Sequence, residues 1–276
     1  AFTNIGGDVS YVGTAYTFKG RSYVNQLISW GSNNYGGLGQ NNRTNYSSPV
    51  QIPSTSWANI SDLGGGYGWH SLATKTDGTL WSWGMNQWGE LGQNTAKVDN
   101  SNRKDLSSPV QIGSDTTWPT GITTSYNTLS VSSSYFSAAV KTDGTLWQWG
   151  RNTTGNLGQN NTTNYSSPVQ IPGTTWKNVD QGTASTHATK TDGTLWAWGW
   201  NNNGNLAQGN TTNYSSPRQI PGTTWSYVTS HAYGAFAVKT DGTLWGWGAN
   251  VGGQLGQNNR TDYSSPKQIP GTRYLS

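Results

Sequence analysis

Chemistry at a protein site usually needs acids, imidazoles or thiols placed together, and this chain is poor in all three. Its 276 residues hold 12 Asp and Glu, 3 His and no Cys, and Glu90 is the only glutamate. The absence of cysteine excludes a disulfide, a thiol nucleophile and a cysteine zinc site. Neither G-x-S-x-G nor H-E-x-x-H occurs. Asp77, Asp143, Asp192 and Asp241 each precede a glycine in the same local sequence, which reads as turn chemistry rather than acid–base chemistry. Asp99 and Asp105 form an unpatterned pair with nothing to support catalysis. The segment from Asp99 to Asp105 has a faint calcium-loop look, but the adjacent cations Arg103 and Lys104 favour a solvated loop. His70 reads as a lone histidine hydrogen-bonded inside the fold. No catalytic residue, no cofactor and no metal is expected.

Aromatic side chains are the remaining candidates, with 16 Trp and 14 Tyr against 4 Phe. Of the Trp, 13 fall in repeated positions that suit a core, and Trp69, Trp88 and Trp200 fall outside them. Trp88 occupies a loop position where an earlier copy has Tyr35. A second set, Tyr46, Tyr165, Tyr214 and Tyr263, stands just ahead of a repeated Ser-Ser-Pro. Flat rings beside Asn and Gln donors are what sugar-binding surfaces use. Tyr35, Trp88, Trp200, Tyr46, Tyr165, Tyr214 and Tyr263 are therefore the expected binding residues.

Charge adds an exclusion. The formal net charge is +4, only 10% of residues are charged, and the Lys residues are spread singly instead of forming a patch. That argues against a nucleic-acid partner, and no apolar run approaches the roughly 20 residues of a spanning helix.

The elements that must carry these residues follow from a period. Trp-Gly pairs begin at Trp30, Trp83, Trp149, Trp198 and Trp247, and the last four close the ten-residue motif K-T-D-G-T-L-W-x-W-G. Downstream of each comes N-x-x-G-x-L-(G/A)-Q and then Ser-Ser-Pro. Asp-Gly between two short β-rich runs predicts a two-residue type I′ hairpin. Alternation at period two places Leu80 and Ser82 on one face, Trp81 and Trp83 on the other. A further strand opens at Trp57, Trp118, Trp176 and Trp225. Gly, Asn, Thr and Pro recur too often for a helix. The prediction is an all-β chain: one five-bladed β-propeller domain over residues 1–276, with units of about 1–54, 55–114, 115–173, 174–222 and 223–276 and four strands per blade. Phe2-Thr3-Asn4-Ile5 echoes Trp57-Ala58-Asn59-Ile60, and the tail from Pro270 repeats the start of a unit, so the N- and C-terminal segments are expected to close the ring.

The run G-x-H-S-x-A-x-K-x-D-G-x-L-W-S-W-G-x-N-x-x-G-x-L-G from Gly68 to Gly92 resembles the regulator of chromosome condensation repeat, and the resemblance extends over almost the whole chain. It implies the propeller fold. The best-known member of that family has seven blades and serves nucleotide exchange and chromatin binding; five units are counted here. The first has Val24-Asn25-Gln26 in place of Asp-Gly, the fourth has Ala207 in place of Gly, and only His70 fills the family's His position. With the low charge and Asn-rich loops, these departures favour the versions in phage and bacterial surface proteins. The expected function is a non-enzymatic attachment module of a virion or cell surface, binding protein partners in an assembly through its loop faces. The alternative is a lectin-like propeller that binds neutral surface glycans. The expected location is extracellular or on a virion, without membrane insertion.

Overall fold

The computed structural model of the chain describes residues 17–21, 26–61, 69–96, 104–121 and 127–271. These form five antiparallel sheets, strung in chain order as the blades of a β-propeller. Blade 1 holds β1 (Thr17–Arg21), β2 (Leu27–Gly31) and β3 (Tyr46–Ile52). Blade 2 holds β4 (Trp57–Ile60), β5 (His70–Lys75), β6 (Leu80–Gly84) and β7 (Leu106–Gln111). Blade 3 holds β8 (Leu129–Val131), β9 (Phe136–Val140), β10 (Leu146–Gly150) and β11 (Tyr165–Ile171). Blade 4 holds β12 (Trp176–Gln181), β13 (Ser185–Lys190), β14 (Leu195–Gly199) and β15 (Tyr214–Ile220). Blade 5 holds β16 (Trp225–His231), β17 (Gly234–Lys239), β18 (Leu244–Gly248) and β19 (Tyr263–Gln268). Four sheets have four strands and the first has three. No helix occurs among the described residues. The terminal segments expected to close the ring, Phe2–Ile5 and residues 272–276, lie outside the described residues.

The Asp-Gly turn differs from expectation. Gly78 is left-handed at φ 81°, but Asp77 is not, and a type I′ turn needs both. Instead the Gly78 amide donates to the Lys75 carbonyl (3.0 Å) and the Lys75 amide to the Thr79 carbonyl (3.0 Å). That is a three-residue loop closed by a glycine bulge, and blades 3, 4 and 5 repeat it at Gly144, Gly193 and Gly242. The aspartate decides the outcome. Oδ1 of Asp77 accepts both the amide (3.0 Å) and the hydroxyl (2.6 Å) of Thr79, and those bonds hold its carboxyl below the ordinary carboxylate pKa. Thr79 Oγ1 in turn accepts the Trp81 indole N–H at 2.7 Å. Glycine is also required sterically, because a Cβ on Gly78 would lie 2.0 Å from the Thr116 carbonyl oxygen of the next blade.

Beside each hairpin the motif lysine is clamped by two indoles. Lys190 Nζ lies 4.5 Å from the Trp176 ring and 4.6 Å from the Trp196 ring, a double cation–π contact. Lys75, Lys141 and Lys239 repeat it.

Blades are joined by a second device. The N-x-x-G-x-L-G loop after the third strand of one blade plugs into the blade that follows. Trp83 is fully buried and donates its indole N–H to the Gly37 carbonyl of blade 1 (2.9 Å). Trp149 does the same to the Glu90 carbonyl (2.9 Å), and Trp247 to that of Asn205 (2.8 Å). Blade 4 varies the theme, with Trp198 donating to Gln148 Oε1 at 3.0 Å. Apolar clusters fill each of these four seams; between blades 3 and 4, Val140, Leu146 and Ile171 pack on Trp176, Val179 and Trp198. The loops themselves hang on buried asparagines. Asn152 accepts the Leu157 amide (2.8 Å) and donates to the Asn161 and Thr163 carbonyls (3.1 and 2.9 Å), and Asn33, Asn86, Asn201 and Asn250 take equivalent places.

Glu90 is the anomaly in this scheme, a buried acid where the other loops have Gly37, Asn156, Asn205 and Gln254. Its carboxylate accepts the Gln87 and Trp88 amides (2.9 and 2.6 Å), and burial pushes its pKa up to about 7.

Two outcomes follow. Trp198→Ala should cost about 3–5 kcal/mol in denaturant unfolding, and the half-buried Trp196→Ala distinctly less; equal losses would show the seam to be misplaced. For Glu90, the raised folded pKa means that the carboxyl stabilises fully below pH 4.5 and loses its contribution as pH rises through about 7. The melting temperature of Glu90→Gln should therefore climb relative to wild type between these pH values and level off above, to the equivalent of at most about 3 kcal/mol. A constant difference across the range would remove Glu90 as the cause.

Candidate functional aromatic face

In an antiparallel four-stranded meander the first and third connections emerge at one end and the second at the other. The Asp-Gly hairpins thus share one end of the blades. The opposite end carries the plug loops and the tips that join the first strand of each blade to its second.

One tip position recurs fourteen residues ahead of the buried motif tryptophan: Trp69, Tyr135, Ala184 and Tyr233. The main chain sets it. Each of these carbonyls accepts the amide that follows the Trp-Gly pair, from Met85 (2.6 Å), Arg151, Trp200 and Ala249 (2.9 Å each). The side chains then stand on the end face. Trp69 meets Tyr35 of blade 1 at 5.6 Å and Tyr135 of blade 3 at 5.1 Å, so three blades contribute to one aromatic run. Tyr135 holds a left-handed backbone (φ 69°), a region bulky residues seldom occupy. Blade 4 has Ala184 in the tip slot; Trp200, bonded to it through the backbone, packs on Tyr233 at 5.5 Å. The Arg151 guanidinium lies 5.5 Å from the Trp88 ring. Tyr233 is 48% exposed and Val251 71%.

Three of the expected binding residues, Tyr35, Trp88 and Trp200, lie on this face. The other four do not. Tyr46, Tyr165, Tyr214 and Tyr263 begin the outermost strands β3, β11, β15 and β19, one per blade. Each phenol oxygen accepts an asparagine N–H from its own loop, from Asn42, Asn161, Asn210 and Asn259 at 2.8–3.1 Å. Arg218 and Lys267 also sit over the Tyr214 and Tyr263 rings. Sequence reasoning omitted Trp69, Tyr135, Tyr233 and Arg151. The fourteen-residue spacing was the signal available, and it also assigns Tyr16, outside the described residues, to the first unit.

A polar cluster at the inner strands was a second place to look for chemistry. Asp180 Oδ2 accepts the Ser230 amide (2.7 Å) and the Thr229 hydroxyl (3.0 Å), and Oδ1 accepts the Ser130 hydroxyl (3.2 Å). Ser230 Oγ lies 2.9 Å from His187 Nδ1, and His187 Nε2 lies 2.8 Å from the Asn205 carbonyl. A hydrolytic triad needs the carboxylate on one imidazole nitrogen and the nucleophile on the other. Here the carboxylate faces the serine, a main-chain carbonyl holds the second nitrogen, and burial lowers the His187 pKa to about 4. The cluster braces blades 3, 4 and 5 together. His70 is likewise a seam residue, with Nε2 2.9 Å from Ser137 Oγ of blade 3.

The profile of the Regulator of chromosome condensation (RCC1) repeat matches residues 25–73, 77–128, 143–186, 192–238 and 241–274. The first match begins just ahead of β2 and ends in β5, so a family repeat straddles two blades. The Ultraviolet-B receptor UVR8 of Arabidopsis thaliana is 33% identical over 91 residues, 33% of this chain and 19% of the receptor. Yeast RCC1 (Prp20), solved bound to Kap60, superposes with a TM-score of 0.75 at 18% identity over 94% of this chain and 60% of that one. A structure of Prp20p from Saccharomyces cerevisiae, described with its binding to Gsp1p and histones, superposes with a TM-score of 0.54 at 14% identity, covering 94% of this chain and 76% of that one. The chain thus spans about a fifth of the receptor and 60% of the first yeast structure.

These findings overturn the expected attachment module of a virion or cell surface, and with it the lectin-like alternative. They also overturn the expected extracellular or virion location: the proteins it resembles are an ultraviolet-B receptor and a yeast protein described with its binding to Gsp1p and histones. The physical reason lies in the loops. The Asn-rich composition, read as a neutral binding surface, holds the plug loops together from within. Repeat matches over most of its length and a shared propeller fold place this chain in the RCC1 repeat family.

Proposed function

We propose that the chain is a non-catalytic propeller that docks a protein partner on its aromatic face. The carrying observation is the run Tyr35–Trp69–Tyr135, with Trp200–Tyr233 beyond it. These rings sit outside the apolar clusters that fill the seams between blades. Trp, Tyr and Arg dominate the energetics of protein interfaces because they combine large apolar area with a polar tip. Arg151 over Trp88 adds the third member of that set. Yeast RCC1 was solved with a protein partner, Kap60, which supports the same class of ligand here.

The acids favour binding over catalysis. All nine carboxylates among the described residues accept hydrogen bonds from the chain itself. None is held in reserve for a substrate proton.

A photoreactive benzophenone side chain in place of Tyr233 should cross-link one protein of defined mass in cells that express the chain. The same group at Tyr165 on the rim should not. Trp69→Ala with Trp200→Ala should abolish the adduct while the melting temperature stays within a few degrees. Equal labelling from the rim, or an adduct indifferent to both substitutions, would remove the aromatic face as the docking surface.

A further inference from the structure

At the seam between blades 2 and 3 two side chains meet that the repeat does not require. Trp88 stands in the plug loop, at a place taken by Thr154 in blade 3 and Asn203 in blade 4. Arg151 follows the Trp-Gly pair of blade 3, where blades 2, 4 and 5 have Met85, Trp200 and Ala249. The other seams close without a cation at this place, so joining the blades does not account for Arg151. It is half-buried, with its guanidinium 5.5 Å from the Trp88 ring. Its amide donates to the Tyr135 carbonyl, which puts it at the border of the run Tyr35–Trp69–Tyr135.

The charge of Arg151 is not matched within the chain. The ion pairs among the described residues are Arg43–Asp105 and Lys141–Asp115. Glu90, the acid of the same plug loop, turns its carboxylate to the Gln87 and Trp88 amides. Arg151 Nε and Trp88 Nε1 are both buried without an acceptor, whereas the two Nη groups of Arg151 are not buried. One edge of the guanidinium has therefore lost its water, and the other stays open. Buried donors without acceptors are rare in folded proteins and call for an explanation. A partly desolvated cation attracts an anion more strongly than a solvated one, and an open guanidinium edge grips a carboxylate through two parallel hydrogen bonds.

We propose that Arg151, backed by Trp88, is the part of the aromatic face that takes a carboxylate, an Asp or Glu side chain set among apolar residues of the protein partner. This rests on the aromatic face being the docking surface. The acid follows from charge complementarity, and its apolar neighbours follow from the rings beside Arg151. A second copy of this chain is the poorer occupant, because all nine carboxylates among the described residues already accept hydrogen bonds from their own chain.

Random peptides displayed on phage and selected on the immobilised chain are the probe. Wild type should enrich peptides with an Asp or Glu beside aromatic or aliphatic residues. A synthetic peptide from that set should bind Arg151→Gln roughly 10- to 100-fold more weakly. Arg151→Lys should lose most of the same affinity, because a point charge replaces the fork. Selection on Arg151→Glu should exchange the acid for Lys or Arg. Thermal melts of the three variants within a few degrees of wild type exclude misfolding as the cause, and Arg151→Gln and Arg151→Lys decide the matter if Arg151→Glu does not fold. Enriched peptides without an acid, or an acid retained on Arg151→Glu, would overturn the proposal. Peptides lost in Trp69→Ala with Trp200→Ala but indifferent to Arg151 would overturn it and leave the aromatic face standing. Peptides that need Arg151 and neither tryptophan would do the opposite. A library that enriches nothing would remove both. A labelled DNA duplex held through Arg151, or self-association of the wild type abolished by Arg151→Glu, would overturn the proposal by naming another occupant.

Discussion

A buried indole reaching a main-chain carbonyl in the neighbouring blade is the interaction on which the architecture depends. An indole is large and apolar and carries one donor, so full burial stabilises only when that donor finds a partner. Trp83, Trp149 and Trp247 find it in the loop of the preceding blade. A single side chain thereby fills the seam and fixes its depth. The glycines follow from this. Gly39, Gly92 and Gly158 lie against those rings, with Cβ positions only 2.8–3.1 Å from the indole nitrogens of Trp83, Trp149 and Trp198. Gly36 and its counterparts clear the next blade's backbone. Tryptophan and glycine are both abundant because each makes room for, or needs, the other.

The hairpin end is organised by electrostatics instead. Asp77 fixes Thr79, Thr79 receives the Trp81 N–H, and the Trp81 ring carries Lys75. Every link is short in sequence, so each blade builds its own copy without help from its neighbours. Burial lowers the Lys75 pKa, and Asp77 opposes that shift. The nearby carboxylate favours the charged ammonium that the two rings hold.

The period made the fold readable, since Trp-Gly, Asp-Gly and Ser-Ser-Pro each report a backbone event that only a few residues permit. The turn type was not readable in the same way. Asp-Gly suits both a type I′ pair and a three-residue bulged loop, and the two bonds that Asp77 Oδ1 accepts from the Thr79 amide and hydroxyl decide between them. Asparagine misled for a related reason. Its side chain resembles a surface donor by type alone, yet Asn152 and Asn201 are fully buried and serve as loop backbone in all but name. The aromatic face was half legible. Trp69, Trp88 and Trp200 stand out as breaks in the repeat, whereas Tyr135 and Tyr233 keep to a spacing and so look like part of it.

The straddling of blades by the sequence repeat has a consequence for how such chains change length. A unit cut at that boundary contains the outer half of one blade, the inner half of the next and the whole plug between them. Its duplication or loss leaves every remaining seam with both of its partners, because the cut falls inside a sheet, where strands of one blade are interchangeable with those of another. The number of blades can therefore drift across lineages while the chemistry of each contact stays fixed, and the circumference becomes the variable on which selection acts.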